Sequence, residues 1–534
     1  MAFDYVITGA GSAGATLASR LSEDPNVSVC LLEAGGDNTG VLVRAPIAIA
    51  AILPQRSKLN WAFDTVPQPG LNDRIGYQPR GKGLGGSSAI NAMLYIRGHK
   101  SDYDDWAAQG CEGWSWDDVL PVFKKAENNE RGGDDLHGAE GPLQVSNQRS
   151  PHQISAAFLE AAEQCQVRPN GDFNGVEQEG AGEYQVTQFR GGEKNGERCS
   201  AAAAYLHPNM DRPNLTVILE AQATGLILEG KRCVGVRYSK GGREEEVRAE
   251  REVIVSGGAF GSPHLLLLSG IGPAEELAKH GIEQVHELPG VGRNLQDHID
   301  YVLSYRVRES DAFGLSFWGV RRLLAGMWEW RNKGTGVISS PLAETGAFLK
   351  SDPALSRPDL QLHFVIAMVN DHGRKRGIGR GFSCHVCVLR PKSRGTVTLN
   401  SADPLAPPRI DPRFLSEQED ADLLLKGTKM MRTIMEAQPL ARFATGESHE
   451  PSARDDETLM RQIRDRADTV YHPVGTCKMG VDDLAVVDPK LRVRGMEGLR
   501  VADASIMPTL IGGNTNAPSI MIGERAAAFI QAEM

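Results

Sequence analysis

Three clusters of glycine and one histidine carry most of the chemistry this sequence could perform. The first cluster, Gly9-Ala10-Gly11-Ser12-Ala13-Gly14, follows the apolar, β-branched run 3–8 and precedes residues 15–21, which read as a helix. A second apolar run, 27–32, ends in Glu33, nineteen residues past Gly14. Each part of this strand, GxGxxG, helix, strand and acid has a physical task. Gly9 permits a tight turn, Gly11 lets a pyrophosphate approach the backbone, and Gly14 lets helix and strand pack closely. The helix N-terminus faces the phosphates, and Glu33 accepts from ribose hydroxyls. A lone GxGxxG is an ordinary Gly-rich turn, but this one has the right neighbours on both sides, so dinucleotide binding is predicted. The fingerprint alone leaves NAD and FAD open.

Two further clusters bear on that choice. Residues 81–91 read Gly-Lys-Gly-Leu-Gly-Gly-Ser-Ser-Ala-Ile-Asn, with little side-chain bulk and many backbone N–H groups for a flat, polar ligand. Residues 257–273 read Gly-Gly-Ala-Phe-Gly-Ser-Pro-His-Leu-Leu-Leu-Leu-Ser-Gly-Ile-Gly-Pro and follow the strand-like run 252–256. Each alone could be a structural loop. Together they resemble the two signature segments of the glucose–methanol–choline (GMC) family of FAD-dependent oxidoreductases. The resemblance extends through Asn91-Ala92-Met93-Leu94-Tyr95-Ile96-Arg97-Gly98, residues 288–298 ending in Gln296-Asp297-His298, Tyr471-His472-Pro473-Val474-Gly475-Thr476-Cys477, Val501-Ala502-Asp503-Ala504-Ser505 and Gly513-Asn514-Thr515-Asn516-Ala517-Pro518, in the family's order. Within the family the wording is most similar to bacterial alcohol dehydrogenases of alkane and choline metabolism. Residues 59–63, 371–375 and 391–395 are similar to the aliphatic-alcohol members in particular.

The resemblance implies an α/β fold of two discontinuous domains. A doubly wound, Rossmann-like FAD-binding domain would combine 1–155, 200–300 and 465–534. A substrate-binding domain with an antiparallel sheet and covering helices would take 156–199 and 301–464. The same resemblance places FAD contacts at Gly9, Gly11, Ser12, Ala13, Gly14, Glu33, Gly85, Gly86, Ser87, Asn91, Ala92, Met93, Ala223 (by its backbone, at the adenine), Gly257, Asp503, Ala504, Asn514 and Thr515. It puts His472 at the family's catalytic base and Asn514 at the second active-site position, where other members carry His or Asn. Met93, Tyr95, Met368 and Tyr471 are the expected walls of the substrate pocket. Some members attach FAD covalently through a His that aligns with Ile90 here, so a non-covalent flavin is expected, and no metal.

Alcohol oxidation needs a base, because the hydroxyl proton must leave as the α-hydrogen leaves as hydride, and an imidazole titrates in the right range. His472 stands before Pro473-Val474-Gly475-Thr476, a turn able to fix a ring. Asn514 could bond the substrate oxygen, or be only a turn residue. Asp503 could contact the flavin, or only cap the helix that follows. Cys384-His385-Val386-Cys387 is a CxxC, but on a strand its two thiols point to opposite faces, so it reads as structural. The expected reaction is FAD-dependent oxidation of an aliphatic or aryl primary alcohol to the aldehyde, hydride passing to flavin N5 and electrons to a quinone or other non-NAD acceptor. An alcohol oxidase using O₂, a hydroxynitrile-lyase-like enzyme with redox-idle flavin, and a non-catalytic FAD protein are the alternatives. Retention of His472 and Asn514 speaks against the last.

The elements that must position these groups are legible in part. Residues 382–389 and 395–399 are strand-like and joined by Pro391-Lys392-Ser393-Arg394-Gly395, a hairpin signal. Residues 403–412, with Pro404, Pro407, Pro408 and Pro412, read as extended loop, and 417–436 carries apolar residues at helical spacing. A helix over 319–332 has Val320, Leu323, Leu324, Met327 and Trp328 on one side. With the apolar segment 45–53 it reads as core and channel wall, the sharper alternative being peripheral contact with a membrane. Gly supplies 59 of 534 residues, above the usual share of about 7%, and the excess sits in the clusters above. A formal charge of −10 without a long basic block excludes a nucleic-acid binder. No apolar run reaches the ~18 residues of a membrane span. The N-terminus enters a strand pattern without a basic leader, so no secretory signal is expected. Eight scattered cysteines read as reduced thiols of a cytoplasmic protein.

Because Ile90 occupies the attachment position, acid precipitation should release the flavin into the supernatant. Colour retained in the washed pellet would show a covalent bond.

Overall fold

A computed structural model describes residues 2–308, 317–369, 380–447 and 453–534, with side chains of the Phe317–Lys333 helix described from residue 325 onward. The aliphatic-alcohol motif at 371–375 and the side chains of Val320, Leu323 and Leu324 lie outside these residues. A seven-stranded sheet runs in the order Leu215–Ile218, Val29–Leu32, Ala2–Thr8, Arg243–Val255, Arg232–Lys240, Ala221–Glu229, with Leu499–Val501 pairing beside Arg243–Val255. The strands around Ala2–Thr8 are parallel, while Arg243–Val255, Arg232–Lys240 and Ala221–Glu229 form an antiparallel meander. Val6, Ile7, Val29, Cys30 and Leu31 are fully buried, as continuous apolar strands of a covered parallel sheet must be. The helices Ser12–Leu21 and Asn516–Gln531 cover it, held by the buried Glu524 carboxylate, which accepts from Arg20 (2.8 Å) and the Tyr205 hydroxyl (2.9 Å).

A second seven-stranded sheet is antiparallel, in the order Ala444–Glu447, Ile299–Val307, Gly381–Val388, Leu360–Val365, Ala343–Leu349, Gly180–Glu183, with Asp468–Thr469 pairing beside Ile299–Val307. Its faces are sorted by the two-residue period of the strand. Ile299, Tyr301 and Leu303, Leu360, Leu362 and Phe364, and Phe382, Cys384 and Val386 pack with the helices Gln153–Gln164, Gln418–Met435 and Asp456–Arg466. The intervening Asp300, His363, His385 and Cys387 belong to the opposite face, where His363 and His385 line the large cavity. Cys384 and Cys387 accordingly sit in different apolar clusters.

Several readings of the sequence need correction. The strands Gly381–Val388 and Gly395–Thr398 do not form a hairpin: the second pairs with Arg293–Leu295 and Arg409–Asp411 in a separate sheet. The connecting turn is instead captured by Asp420, which accepts from the backbone N–H groups of Lys392 (2.7 Å) and Ser393 (2.8 Å). The proline-rich stretch 403–412 contains the strand Arg409–Asp411, tolerated because its prolines flank the paired residues. Ala223 lies on the strand Ala221–Glu229, which is separated from Leu215–Ile218 by Glu220, whose φ is +55°. On the Phe317–Lys333 helix, Met327 and Trp328 are exposed, at 49% and 65%, and it is Trp330 that turns inward. Its indole N–H donates to the Gly196 carbonyl (2.8 Å), and its ring packs with Val43, Ile52 and Ile338, so segment 45–53 and this helix share one cluster. Among the described residues, no helix is long and apolar enough to cross a membrane.

A buried ion network ties the segment after residue 95 to the rest. Arg97 Nη2 donates to Glu127 (2.5 Å), and His137 sits between Glu127 (3.2 Å) and Asp172 (2.9 Å). Burial alone would lower the His137 pKa, but the bonds to Asp172 and Glu127 outweigh it and raise the value to about 9. A raised folded-state value means stability that is complete below the ordinary value of 6.5 and is lost as pH rises through 9. The thermal-midpoint gap between wild type and His137→Gln should therefore be widest near pH 6 and narrow by pH 10. A gap independent of pH would mean that His137 is neutral in the fold.

Candidate active site

The three glycine clusters converge on one cavity of about 870 Å³. At the end of the first strand Gly9 adopts φ +93°, where a Cβ would run into the Ser256 carbonyl, and a Cβ on Gly14 would overlap the Gly9 carbonyl. Nothing crowds Gly11. The helix that follows has no capping side chain, and Gly11, Ser12 and Ala13 line the cavity, so its first-turn N–H groups are available to an anion. Glu33, 7% exposed, accepts from the N–H of Ala10 (2.9 Å) on Oε2 and from those of Gly35 (2.8 Å) and Gly83 (2.9 Å) on Oε1. Oε1 is thereby saturated, and Oε2 keeps one acceptor site for a ligand hydroxyl. The second cluster is docked on the first by Gly85 N–H to the Ala10 carbonyl (2.8 Å) and Leu84 N–H to that of Gly36 (2.9 Å). The third is held by Asp503, which accepts from Gly258 N–H (2.8 Å), Ser262 Oγ (2.5 Å) and Ser505 N–H (2.8 Å). Asp503 is thus a cap, as one reading of the sequence had it, and a cavity-lining residue as well.

At the other end of the cavity stands His472, buried to 8% exposure. Tyr471 before it is left-handed, with φ +74°, a strained conformation for a bulky residue. The strain is held by Tyr471 N–H donating to Thr469 Oγ1 (2.7 Å) and by Arg80 donating to the Tyr471 carbonyl (2.7 Å). The His472 backbone N–H donates to Asp297 (2.8 Å), whose other oxygen accepts from Gln78 (3.0 Å) and Thr469 (2.6 Å).

The ring is set by a chain of hydrogen bonds. His298 Nε2 lies 2.9 Å from the Leu389 carbonyl and must donate there, so its Nδ1 is an acceptor. His472 Nδ1, 2.9 Å from that atom, must then be the donor, which leaves His472 Nε2 with its lone pair toward the cavity. A second chain fixes the partner. Tyr184 O–H donates to the Leu362 carbonyl (2.7 Å) and accepts from Gln361 Nε2 (3.1 Å). Gln361 Nε2 also donates to Asn514 Oδ1 (3.1 Å), so the Asn514 amide nitrogen faces His472 Nε2, at 3.2 Å. Desolvation, with His298, His363 and Arg80 nearby, pushes the His472 pKa well below its ordinary value. Burial likewise lowers His298 to about 4 and raises Asp297 to about 6. The imidazole is therefore a neutral acceptor across the ordinary pH range, titrating lower than its residue type suggests.

Of the residues singled out in the sequence, Gly9, Gly11, Ser12, Ala13, Glu33, Gly86, Ser87, Asn91, Ala92, Met93, Ala223, Gly257, Met368, Tyr471, His472, Asp503, Ala504, Asn514 and Thr515 all line this cavity, as does Ile90. Gly14 and Gly85 stand behind its wall as packing and docking points. Tyr95 is the exception. It is buried at 1% exposure with its hydroxyl beside Arg97 Nε (3.2 Å), away from the cavity. Met93 itself is left-handed, φ +63°, and does line the cavity. His298, Asp297, Gln361, His363 and Arg80 were not assigned roles. Asp297-His298 sits inside a recognised motif, but the contacts that give it meaning cross 174 residues. The substrate end also carries His363 and His385, the latter 2.5 Å from Asp300.

Family models described as GMC oxidoreductase match residues 3–300 and 391–523. The chain is 48% identical to an alcohol dehydrogenase (acceptor) of Pseudomonas putida, covering 99% of this chain and 95% of that one. It is 42% identical to the mitochondrial choline dehydrogenase of Homo sapiens, with 99% and 90% covered. Among solved structures it is similar to pyridoxine 4-oxidase from Mesorbium loti, with TM-score 0.88, 30% identity and 99% of each chain covered. It is also similar to a formate oxidase variant of Aspergillus oryzae, with TM-score 0.91, 29% identity and 100% and 98% covered.

The hydrogen-bond chain makes a spectroscopic prediction. In protein labelled with ¹⁵N-histidine, His472 should report the neutral Nδ1–H form at pH 7 and stay neutral at pH 6. Protonation near 6.5, or the opposite tautomer, would contradict the order of donors drawn from Leu389 to His472.

Proposed function

The chain belongs to the GMC oxidoreductase family, and from that premise we propose that it oxidises a primary alcohol, aliphatic or aryl, to the aldehyde with His472 as the base. It is an FAD-dependent enzyme acting on alcohols. The cavity suits that cofactor in shape and chemistry. Gly11, Ser12 and Ala13 at the uncapped helix would hold the pyrophosphate, Glu33 Oε2 a ribose hydroxyl, and the Ala223 backbone the adenine. Asn91, Ala92, Met93, Gly257, Asp503, Ala504 and Thr515 would hold the flavin, with Ile90 leaving it unattached. Every strand of the mainly parallel sheet falls within 1–155, 200–300 or 465–534, which supports reading those segments as the FAD-binding part. The antiparallel sheet, apart from Asp468–Thr469 and the first two residues of Ile299–Val307, falls within the remaining segments.

One observation carries the mechanism: His472 Nε2 is an unprotonated acceptor facing the cavity, with the Asn514 amide beside it. The substrate hydroxyl takes the place of the Asn514–His472 hydrogen bond (3.2 Å), donating to His472 Nε2 and accepting from the amide N–H that Gln361 orients. Bound FAD supplies the hydride acceptor at N5. As the α-hydrogen leaves, His472 takes the hydroxyl proton and Asn514 stabilises the alkoxide character on oxygen. His298 keeps the ring from rotating and keeps Nε2 free. His363, buried opposite His385 on the neighbouring strand, is held neutral, its pKa lowered to about 3 by burial, so it adds no charge to repel the transferred proton. The electron acceptor is a quinone or another non-NAD oxidant, in keeping with the acceptor-dependent relative at 48% identity.

The test is anaerobic addition of an alcohol series, which should bleach the flavin, followed by O₂ and then a quinone analogue to see which restores it. Rapid peroxide formation would make the enzyme an oxidase, and turnover with NAD⁺ would refute the acceptor assignment. His472→Ala should slow flavin reduction by roughly 10²–10⁴-fold, the usual worth of a placed general base, without loss of flavin. Asn514→Ala should slow it by about 10²–10³-fold, and Asn514→His by much less, since His can also donate. Because the base is already free at neutral pH, the acid limb of the wild-type profile should lie below pH 6.5. Reduction of His472→Ala within a few-fold of wild type would require another proton acceptor.

A further inference from the structure

Behind the Asn91 wall lies a charge that the mechanism above does not use. Arg198 is 2% exposed, and no carboxylate accompanies it among the described residues. Its Nη1 donates to the Asn91 carbonyl (2.6 Å), to Asn91 Oδ1 (2.8 Å) and, longer, to the Ser88 carbonyl (3.4 Å), and its Nε donates to the Val43 carbonyl (3.0 Å). All four acceptors are neutral. Nη2 is enclosed and donates to nothing among the described residues. The neighbouring Glu197 is paired with Arg44 (3.0 Å) instead. Burial lowers the Arg198 pKa to about 9, with no charged neighbour contributing, so the guanidinium keeps its proton at neutral pH. A buried, unpaired cation is costly to a fold. Here it is fastened to Asn91, which lines the cavity and orients the wall residue Met93 through Met93 N–H to Asn91 Oδ1 (2.9 Å).

We propose that Arg198 is the counter-charge of the reduced cofactor, a positioning residue that acts through Asn91 to raise the flavin's reduction potential. The proposal rests on the FAD reading above. Hydride transfer brings two electrons and one hydrogen nucleus to the flavin and leaves it with one negative charge, while the hydroxyl proton goes to His472. Burial and the His298 and His363 rings disfavour a lasting imidazolium there, so that proton is released to solvent and the negative charge remains on the flavin. Arg80, a guanidinium of the cavity wall itself, has Asp297 beside it and gives its donors to the Tyr471 and Pro79 carbonyls. The carboxylate of Asp503 already accepts from Gly258 N–H, Ser262 Oγ and Ser505 N–H, and no cation pairs with it among the described residues. Arg198 therefore supplies, behind the Asn91 wall of the cavity, a cation with no anion of its own to oppose the charge left on the flavin.

Sulfite tests this without turnover. Its sulfur lone pair forms a bond to flavin N5 and displaces one negative charge into the ring, so its affinity reports the same stabilisation. In the holoenzyme, Arg198→Gln, which can still donate to Asn91, should raise the sulfite Kd about tenfold or more and move the midpoint potential negative. Arg198→Lys, which keeps the charge, should stay within about threefold of wild type, with flavin content equal in all three. Unchanged sulfite affinity and potential in Arg198→Gln, or equal damage in Arg198→Lys, would overturn the proposal. A measurement on wild type alone guards against a variant that does not fold: between pH 6 and 8 the midpoint should fall with one proton per two electrons, because the reduced flavin stays anionic. A two-proton slope would overturn it. A colourless wild-type protein would overturn the FAD reading and this proposal together, whereas normal flavin with an unaltered Arg198→Gln overturns this proposal alone.

Discussion

Buried carboxylates that accept backbone N–H groups are the joints on which this structure depends. Glu33 gathers donors from Ala10, Gly35 and Gly83, Asp503 from Gly258 and Ser505 together with the Ser262 hydroxyl, and Asp297 from His472. Each draws together segments that lie far apart in sequence. A carboxylate out of water is tolerated only when such donors replace its hydration, and a loop N–H out of water needs an acceptor just as much. The two requirements meet in one geometry. Glycine-rich loops have bare N–H groups and no side chains with which to hold themselves, and a single acid fixes several of them at once. That is how three loops with almost no side-chain bulk become a rigid wall.

Much of this wall was legible in the chain because its signals are local. The spacing of Gly9, Gly11 and Gly14, the acid at Glu33 and the turn after His472 are each contained in a few tens of residues, and the structure brings them to one cavity. What could not be read are relations between distant segments. His298 matters because its ring reaches His472 and the Leu389 carbonyl, Gln361 because it reaches Asn514, and neither residue type announces this. The hairpin expected after residue 388 failed because Pro391–Gly395 has the same turn chemistry whether the flanking strands pair or part, and Asp420, on a distant helix, decides between them. Tyr95 was misplaced because nothing in the residue type shows that its hydroxyl is turned to the buried Arg97 and not to the cavity two residues from Met93.

The reacting end shows a division between what is fixed and what titrates. His472 is surrounded by His298 and His363, both pushed toward neutrality by burial, and by an amide whose orientation is set through Gln361 and Tyr184. A neutral, singly oriented base needs neither ring rotation nor loss of a proton when the alcohol displaces the Asn514 amide from it, which is the condition under which placed dipoles act most strongly. The cost of holding Tyr471 and Met93 in left-handed conformations falls on residues adjacent to this site, and the surrounding hydrogen bonds meet it.

The alternation of faces in the antiparallel sheet has an evolutionary side. On the strands Leu360–Val365 and Gly381–Val388, residues facing the helices are Leu, Phe, Val and Cys, while those facing the cavity include His363 and His385. The two sets are separated by a single step along the chain. Loss or gain of one residue within either strand would exchange the sets, turning imidazoles into an apolar core and leucines toward the substrate. Point substitutions on the cavity face, by contrast, leave the helix-packed layer untouched. Relatives that diverge in substrate should therefore differ at every second position of these strands and agree in their length, so that this sheet explores chemistry by replacement and almost never by insertion.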